Sequence, residues 1–570
     1  MKYHTQGKKQ TRGKKEILAG EVPRYKYVIP VMLGVYMLLA YLMSGMEYKW
    51  LALAMATVGM IAWAIGEKIF PDHVYRDEKQ GLKKWVYILL GIFLLMAVLS
   101  QLFAKDYSNS VLVSEGDTLG MIFGYIVLFY MAYRTARIRQ GERIITLALT
   151  VLVGVVIFMS FLEFFDVSVA CIWVGNTDFL VERNRVALTF GNSNYYGAFC
   201  CMLLPFMLEL WIKATKNIQK LLYVLFSGFL MVCVLMSKST MAMYLMFALV
   251  IGVLIYEWRN VKQQLLWLLC QIGVFMAALL IVNVASNGTL FTLMRISAGN
   301  TDAFTKEEVL YEVEDIQLDG NRVTIKGIDT SFVIQYGEAL NFYDDDNQLL
   351  DIQGEDSQIT FVEAPYNAIT VDVSYNQVVG LLYLEVDTGY KDTIDFYIEN
   401  GEFKGVGADG RPVEDISGSC DGEEWYHLFT GRGYIWLRTI EMLDEVLILG
   451  KGCGNFVHSF KQYDYVGLLK SQGTHNIIIN RPHNMFLQYS VEIGIVGTVA
   501  LFVFVAFVLF GWIYSCFKRD KDENILSVAS FFAIVTFMIF ALLNDSLISI
   551  SPYFWIFLGI NMAFQIKNHQ

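Results

Sequence analysis

The sequence predicts a mainly α, polytopic membrane protein with about 12 transmembrane helices and an extracytoplasmic all-β insert between helices 9 and 10. Three observations predict it. Of the 570 residues, 55% are hydrophobic, more than a water-soluble globule usually carries. The apolar residues fall in long runs with few charges, the pattern of segments that cross a bilayer. One internal block is of a different kind. Residues 301–430 hold 29 Asp and Glu against 6 Lys and Arg, while the rest of the chain holds 26 against 38.

The runs lie at 27–46, 50–70, 85–103, 119–133, 144–165, 197–212, 221–236, 241–258, 265–285, 493–517, 525–543 and 550–566. The fourth, sixth and seventh are short for a span. Loops set the orientation. With the basic start (Lys8, Lys9, Arg12, Lys14, Lys15) in the cytoplasm, the inside loops 71–84, 134–143, 213–220, 259–264 and 518–524 all bear Lys or Arg. The outer loops after the third and eleventh runs carry almost none. This positive-inside bias puts both termini in the cytoplasm of a multi-pass protein of the cell membrane. The polar first 24 residues do not read as a cleavable signal peptide, because no small-residue cleavage site follows the apolar run.

The expected layout is a basic cytoplasmic tail at 1–24, helices 1–9 at 25–299, an acidic β module at 300–430, an extracytoplasmic loop with the candidate chemistry at 431–492, and helices 10–12 at 493–570. Nothing suggests nucleic acid as a partner. Cys200, Cys201, Cys233 and Cys270 lie in apolar runs, where Cys behaves as a small hydrophobe. Cys171, Cys420 and Cys453 fall outside, where two of them can pair. There is no CxxC and no metal-ligand spacing, so no metal and no cofactor is expected.

The acidic block reads as strands. "NRVTIKGI", "SFVIQYG", "QITFV", "AITVDVSY", "GLLYLEV" and "TIDFYIENGEFKG" alternate apolar and polar residues between Gly, Asn and Asp turns. "LDGNR" and "IENGE" read as hairpin turns. Seven or eight strands in a sandwich are expected. "YDDDNQLLD" (Asp344, Asp345, Asp346, Asp351) does not have EF-hand spacing and reads as a solvated acidic turn.

Two segments follow the module. In "GRGYIWLRTIEMLDEVLILGKGCGNF" (431–456), Trp436, Ile440, Leu443 and Leu447 recur at helical spacing before a Gly-rich end. In "NRPHNMFLQYSVEIGIVG" (480–497), Arg481, His483 and Glu492 stand where a long apolar helix begins. Titratable groups at a membrane boundary are costly and usually have a task.

Four segments together resemble the O-antigen ligase family, polytopic membrane glycosyltransferases that include related O-antigen polymerases and protein O-oligosaccharyltransferases. "RNRVALTFGNSNYYGAFCCMLLP" (183–205) is similar to the family's Arg-bearing loop and Phe-Gly-Asn-Pro-Asn element, and "MSKST" (236–240) to its Ser-Arg-Gly turn. "GRGYIW" with "ILGKGCGNF" is similar to its Gly-Arg…Trp…Gly-x-Gly-x-x-Phe element. "RPHNMFLQYSVEIGIVG" is similar to its His-Asn-x-x-Leu-Gln…Glu-x-Gly element. The match spans roughly residues 85–565 and omits the β module. Ser193 stands where Pro is usual. Lys238 stands where Arg is usual, which keeps the charge but loses the bidentate fork.

The resemblance implies an enzyme that takes a glycan from an undecaprenyl-pyrophosphate carrier at the outer face of a bacterial membrane and passes it to an acceptor hydroxyl. The acceptor is a glycan, a lipid, a wall polymer or a protein, and membrane lipids surround the whole. His483 is the candidate base, since imidazole accepts a proton near neutrality; the plainer role is bridging the helix entry. Arg432 is the first candidate for the pyrophosphate, with Arg183, Arg185, Lys238 and Arg481 as further candidates. Asn484 either orients the imidazole or caps the helix. Glu492, nine residues past His483, cannot share its face on a regular helix and either neutralises a nearby Arg or serves function directly. Asn192 and Asn194 are supporting residues. The alternative to metal-free chemistry is that an outer acid such as Asp166 or Glu182 holds an ion.

Two other readings compete. A transporter places ionisable groups mid-membrane, whereas here they fall at the outer ends of helices, with Glu163, Glu209 and Glu492 the nearest exceptions. A binding protein would have its function in the β module. Ligase and polymerase share donor and base and differ only in acceptor.

Overall fold

A computed structural model describes residues 27–43, 45–69, 84–104, 116–165, 185–288, 311–354, 357–414, 416, 418, 420–518 and 524–567. Each of the twelve apolar runs is helical within them. The first nine correspond to α1 (Val28–Leu42), α2 (Met46–Ile69), α3 (Lys84–Leu102), α4 (Leu119–Ala136), α5 (Arg139–Phe164), α6 (Ser193–Lys213), α7 (Asn217–Met236), α8 (Thr240–Tyr256) and α9 (Leu265–Ala285). After the strands come α10 (Leu428–Glu441), α11 (Tyr465–Gln472), α12 (Met485–Ile493), α13 (Ile495–Lys518), α14 (Ile525–Phe540) and α15 (Ser551–Lys567).

Eight helical stretches among the described residues are long and apolar enough to cross a membrane: α2 to α7, the stretch ending in α9, and α13. The chain is thus built as a multi-pass membrane protein, although α1, α8 and α14 are shorter and α15 has 17 residues. The runs that looked short are full-length, with 18, 21 and 20 residues in α4, α6 and α7. Polar residues extend two of them beyond the apolar pattern. Thr118 caps α4 by accepting the Met121 N–H, and Asn192 caps α6 by accepting the Asn194 N–H.

Helix α6 is buried along almost its whole length. It is lined with aromatic contacts to α15: Phe199 to Tyr553 at 4.7 Å and Phe206 to Phe557 at 4.9 Å between ring centroids. α15 also packs backbone-close on α4, where a Cβ on Gly559 would stand 2.2 Å from the Phe129 carbonyl oxygen.

The tenth run does not start as one helix. α12 ends at Gly494, whose φ is 95°, and α13 begins at Ile495. Any Cβ at residue 494 would meet the Ile448 carbonyl oxygen at 2.3 Å, so glycine is required for both reasons. Glu492 therefore belongs to a short buried helix and not to the membrane helix the pattern suggested. Likewise the 431–456 pattern splits. α10 carries Trp436 and Ile440, Leu443 lies on a 3-10 turn (Met442–Val446), and Leu447 follows it.

Among the described residues the β insert has eleven strands, more than the seven or eight expected. They are β1 (Val313–Asp319), β2 (Arg322–Gly327), β3 (Ser331–Tyr336), β4 (Leu340–Tyr343), β5 (Ile352–Gln353), β6 (Gln358–Phe361), β7 (Thr370–Asn376), β8 (Leu381–Asp387), β9 (Ile394–Glu399), β10 (Glu402–Val406) and β11 (Pro412–Val413). The excess lies in strands too short to show alternation, two residues each in β5 and β11. β1–β4 form one antiparallel meander and β5–β11 another. Both hairpin turns form: Asp319 pairs with Arg322, and Glu399 with Glu402 across Asn400 (φ 53°) and Gly401 (φ 87°).

The two sheets share one core, as a sandwich does. Phe332 and Phe342 from the first sheet meet Phe361 of the second at 5.0 and 5.2 Å. Helix α11 belongs to this core too, through Tyr465, Val466 and Leu469. The acidic turn is closed by its own carboxylates: Asp344 Oδ1 accepts the N–H groups of Asp346 and Gln348, and Asp345 accepts that of Ser331. Cys420 and Cys453 are free thiols, one against the Tyr426 hydroxyl and the other buried against α3. Of the three cysteines of which two could pair, Cys420 and Cys453 do not pair with each other, and Cys171 lies outside the described residues.

Candidate active site

The site is built where α10 and α12 meet the loop between α14 and α15. His483 stands just before α12 with its backbone in the left-handed region (φ 52°), a conformation uncommon for a non-glycine residue. Asn484 then caps the helix. Its Oδ1 accepts the N–H groups of Phe486 and Leu487 at 2.9 and 3.1 Å, and its Nδ2 donates to the Leu542 carbonyl at 2.9 Å. The Asn484 N–H donates to Asp545 Oδ1 at 3.1 Å. The other oxygen, Asp545 Oδ2, lies 3.2 Å from His483 Nδ1. That carboxylate is wholly buried, while the imidazole is 38% exposed. Tyr195, in the first turn of α6, accepts the Asp545 N–H through its hydroxyl at 3.3 Å.

Helix α10 supplies the opposite wall. The Trp436 indole N–H donates to the Pro482 carbonyl at 2.8 Å, fixing the residue before His483. Arg432, one turn earlier, donates to the Leu543 carbonyl at 2.5 Å. Burial lowers the Arg432 guanidinium from its ordinary range, and Asp545 and Tyr195 oppose the shift. Between these elements lies a pocket of about 330 Å³. Arg432, Arg481 and His483 line it together with Gln472, Asn480 and the run Ile477, Ile478, Ile479. The pocket thus offers two guanidinium groups, one imidazole and one apolar side. That set can hold a doubly charged phosphate group while a base stands beside it.

The pocket's extended wall is tied to the β sandwich. Gln462 donates to the Ile479 carbonyl and accepts the Ile479 N–H, both at 2.9 Å. Asn476 donates to Asp395 of β9 at 3.2 Å, and His475 Nε2 is 3.7 Å from the same carboxylate. Beneath it, Asp464 caps α11 and pairs with the buried Arg438 of α10 at 2.9 Å. The module is thus joined to the pocket wall and does not hang free of it.

Glu492 sits behind the pocket. Burial pushes its carboxyl well above the usual range, and Asp117 and Asp545 push it further; the Gly454 N–H and Arg481 oppose. Its backbone carbonyl accepts the Gly452 N–H at 3.0 Å. Glu492 and the Gly-rich 450–456 loop thus form a buckle, which Ser100 and Gln101 at the end of α3 complete at Gly450 and Cys453. Asp117 is also buried, accepting hydroxyl protons from Tyr125 and Tyr489 at 2.6 and 2.8 Å.

Of the residues singled out in the sequence, Arg432, Arg481 and His483 line one pocket, and Asn484 fixes its edge. Arg185 and Lys238 form a neighbouring group. Arg185 Nε donates to the Ser237 carbonyl at 3.4 Å, and Lys238 holds a left-handed backbone (φ 53°) in that same turn. Neither lines the pocket, although Met241, three residues past Lys238, touches Asn544 beside Asp545. Asn192 and Asn194 are occupied in the α6 cap. Arg183, Asp166 and Glu182 lie outside the described residues. Among the described residues, no group of three or more His, Cys, Asp and Glu gathers as a metal site. Asp545 and Tyr195 escaped the sequence reading, which took Trp436 only as part of a helical pattern and of the Gly-Arg…Trp element. Asp545 had a signal, a lone acid in an otherwise uncharged stretch between α14 and α15.

Residues 410–502 match the family model described as O-antigen ligase. The match covers α10 to α12 with Arg432, Arg481, His483 and Glu492, and it leaves out Asp545, Arg185 and Lys238. No curated protein and no solved structure matches the chain.

Proposed function

From an O-antigen ligase domain as the premise, we propose that the protein is a membrane glycosyltransferase that moves a glycan from an undecaprenyl-pyrophosphate carrier to an acceptor hydroxyl at the outer face of the cytoplasmic membrane. The observation that carries this reading is the convergence of Arg432, Arg481 and His483 on one pocket, with Asp545 3.2 Å behind the imidazole.

In this reaction the acceptor oxygen attacks the anomeric carbon. The bond from that carbon to the pyrophosphate oxygen breaks, and its electron pair leaves with undecaprenyl pyrophosphate. The hydroxyl proton passes to His483 Nε2, because Nδ1 faces Asp545. The buried carboxylate, 3.2 Å from Nδ1, stabilises by its charge the imidazolium that forms. Arg432 and Arg481 meet the charge that grows on the leaving group, the electrostatic term that usually dominates such catalysis. One direct displacement inverts the anomeric centre and needs no nucleophilic side chain.

The placement of the remaining acids supports chemistry at the pocket over passage through the bundle. Glu163 accepts the N–H groups of Ala187 and Leu188, and Glu209 stands 3.3 Å from Lys213. Each has a structural partner at a helix end.

The test uses purified protein in nanodiscs, supplied with undecaprenyl-pyrophosphate-linked glycan and host envelope extract, with released undecaprenyl pyrophosphate followed. Release by wild type that survives EDTA and disappears in His483→Ala and Arg432→Ala is the expected result. The size of the glycan product separates ligase from polymerase. Full activity in folded His483→Ala overturns the assignment.

A further inference from the structure

Phe429 is held in the left-handed region (φ 51°), where a bulky side chain is strained and glycine would rest without cost. Gly431, two residues on, is the other residue of this turn with a positive φ, 85°. Phe429 is nevertheless 47% exposed. It packs on Trp436 with centroids 5.3 Å apart at 46°. Trp436 in turn holds Pro482, next to His483. Strain of this kind, kept on a half-exposed side chain, points to a functional constraint.

We infer that Phe429 and Trp436 form an aromatic shelf for the sugar ring of the lipid-linked glycan, next to the pyrophosphate on Arg432. This deepens the proposed function and rests on it. The chemistry argues for a sugar over a polyprenyl chain. The first sugar is bonded directly to the pyrophosphate, so its ring must lie within one ring's width of the cation that holds the phosphate. Arg432 is three residues from Phe429 and one helical turn from Trp436. The C–H face of a pyranose stacks on aromatic rings, while its hydroxyls need polar neighbours. Gln472 and Asn480 line the pocket together with Arg432, on whose outer side the two rings, not themselves part of the pocket lining, would stand. A polyprenyl tail would need a long groove without such groups.

The experiment measures binding in a His483→Ala background, so that no turnover occurs. The full-length protein in nanodiscs is titrated with undecaprenyl pyrophosphate bearing the host glycan and, separately, with bare undecaprenyl pyrophosphate. Phe429→Leu keeps an apolar side chain without a ring face. It is expected to weaken the glycan-bearing carrier about three- to tenfold and to leave the bare carrier unchanged. Phe429→Trp is expected to retain the preference. Phe429→Gly removes the strain, so it is expected to lose the preference at an unchanged or higher melting temperature, which separates the shelf from a packing role. Equal weakening of both carriers in Phe429→Leu assigns the ring to the lipid or the membrane and overturns the shelf, as does no change in either. A parent protein that binds neither carrier overturns the shelf together with the function it rests on.

Discussion

His483 Nδ1 and Asp545 Oδ2 stand 3.2 Å apart, the imidazole reaching solvent and the carboxylate fully buried. The two come from segments 62 residues apart, and Asp545 also holds the N–H of Asn484. An Asn at residue 545 keeps that shape and removes the charge that stabilises the imidazolium. Asp545→Asn is therefore expected to lower turnover about 10²- to 10⁴-fold while leaving donor affinity nearly intact. Undecaprenyl pyrophosphate release over a donor series checks it. A change in KM alone would show that Asp545 serves only binding.

Arg438 and Asp464 form a buried pair at 2.9 Å, 4% and 0% exposed. Asp464 also accepts the Tyr434 hydroxyl proton and caps α11 through the Gly467 N–H. Removing Asp464 leaves the buried Arg438 with the half-exposed Glu441, 2.9 Å away, as its one remaining carboxylate among the described residues. Asp464→Ala is expected to destabilise the fold by about 3–5 kcal/mol, read as a lower melting temperature. The double variant Asp464→Leu with Arg438→Met, which removes both charges, is expected to recover part of that loss.

His475 supplies a pH dependence with a definite sign. Its side chain is 1% exposed, and burial lowers it from the ordinary 6.5, with Asp392 opposing. The unfolded chain therefore binds this proton at higher pH than the folded chain. Stability is full above about pH 6.5 and falls as the pH drops through that value. Asp395, raised by burial, acts in the opposite sense, gaining stability as pH falls. The melting temperature is expected to fall between about pH 7.5 and about pH 5.5, and His475→Gln is expected to flatten that slope. An unchanged slope in the variant would place the dependence elsewhere.

How much of this was legible follows from what each element is made of. Twelve apolar runs announce helices because membrane helices must satisfy their own backbone, whatever packs around them. The Asn400–Gly401 turn announces itself because few other pairs hold two left-handed residues. The break at Gly494 was hidden, since its cause is the Ile448 carbonyl, 46 residues away in sequence. Helix α11 gave no sign that Tyr465, Val466 and Leu469 complete the core of the sandwich; its apolar face is short, and the partner strands precede it by 50 residues or more. At the site, His483 and Arg481 stood out by residue type at a membrane boundary, and Arg432 by the Gly-Arg element of the resemblance. Asp545 matters through a contact across two helices, which no local pattern encodes.

Trp436 offers a last test of how the pocket is held together. Its indole N–H reaches the Pro482 carbonyl at 2.8 Å, and its ring meets Phe429. Trp436→Phe keeps a ring and removes the hydrogen bond. The cost to stability is expected to be small, about 0.5–1.5 kcal/mol for one neutral bond. The cost to turnover is expected to be larger, because Pro482 leads directly into the strained His483, and a loosened base loses its alignment with the acceptor hydroxyl. A tenfold or greater fall in turnover, about 1.4 kcal/mol of barrier, with donor affinity held is the expected outcome. Measuring melting temperature and turnover on the same preparation checks it, and turnover that falls only in step with stability would reduce Trp436 to a packing residue.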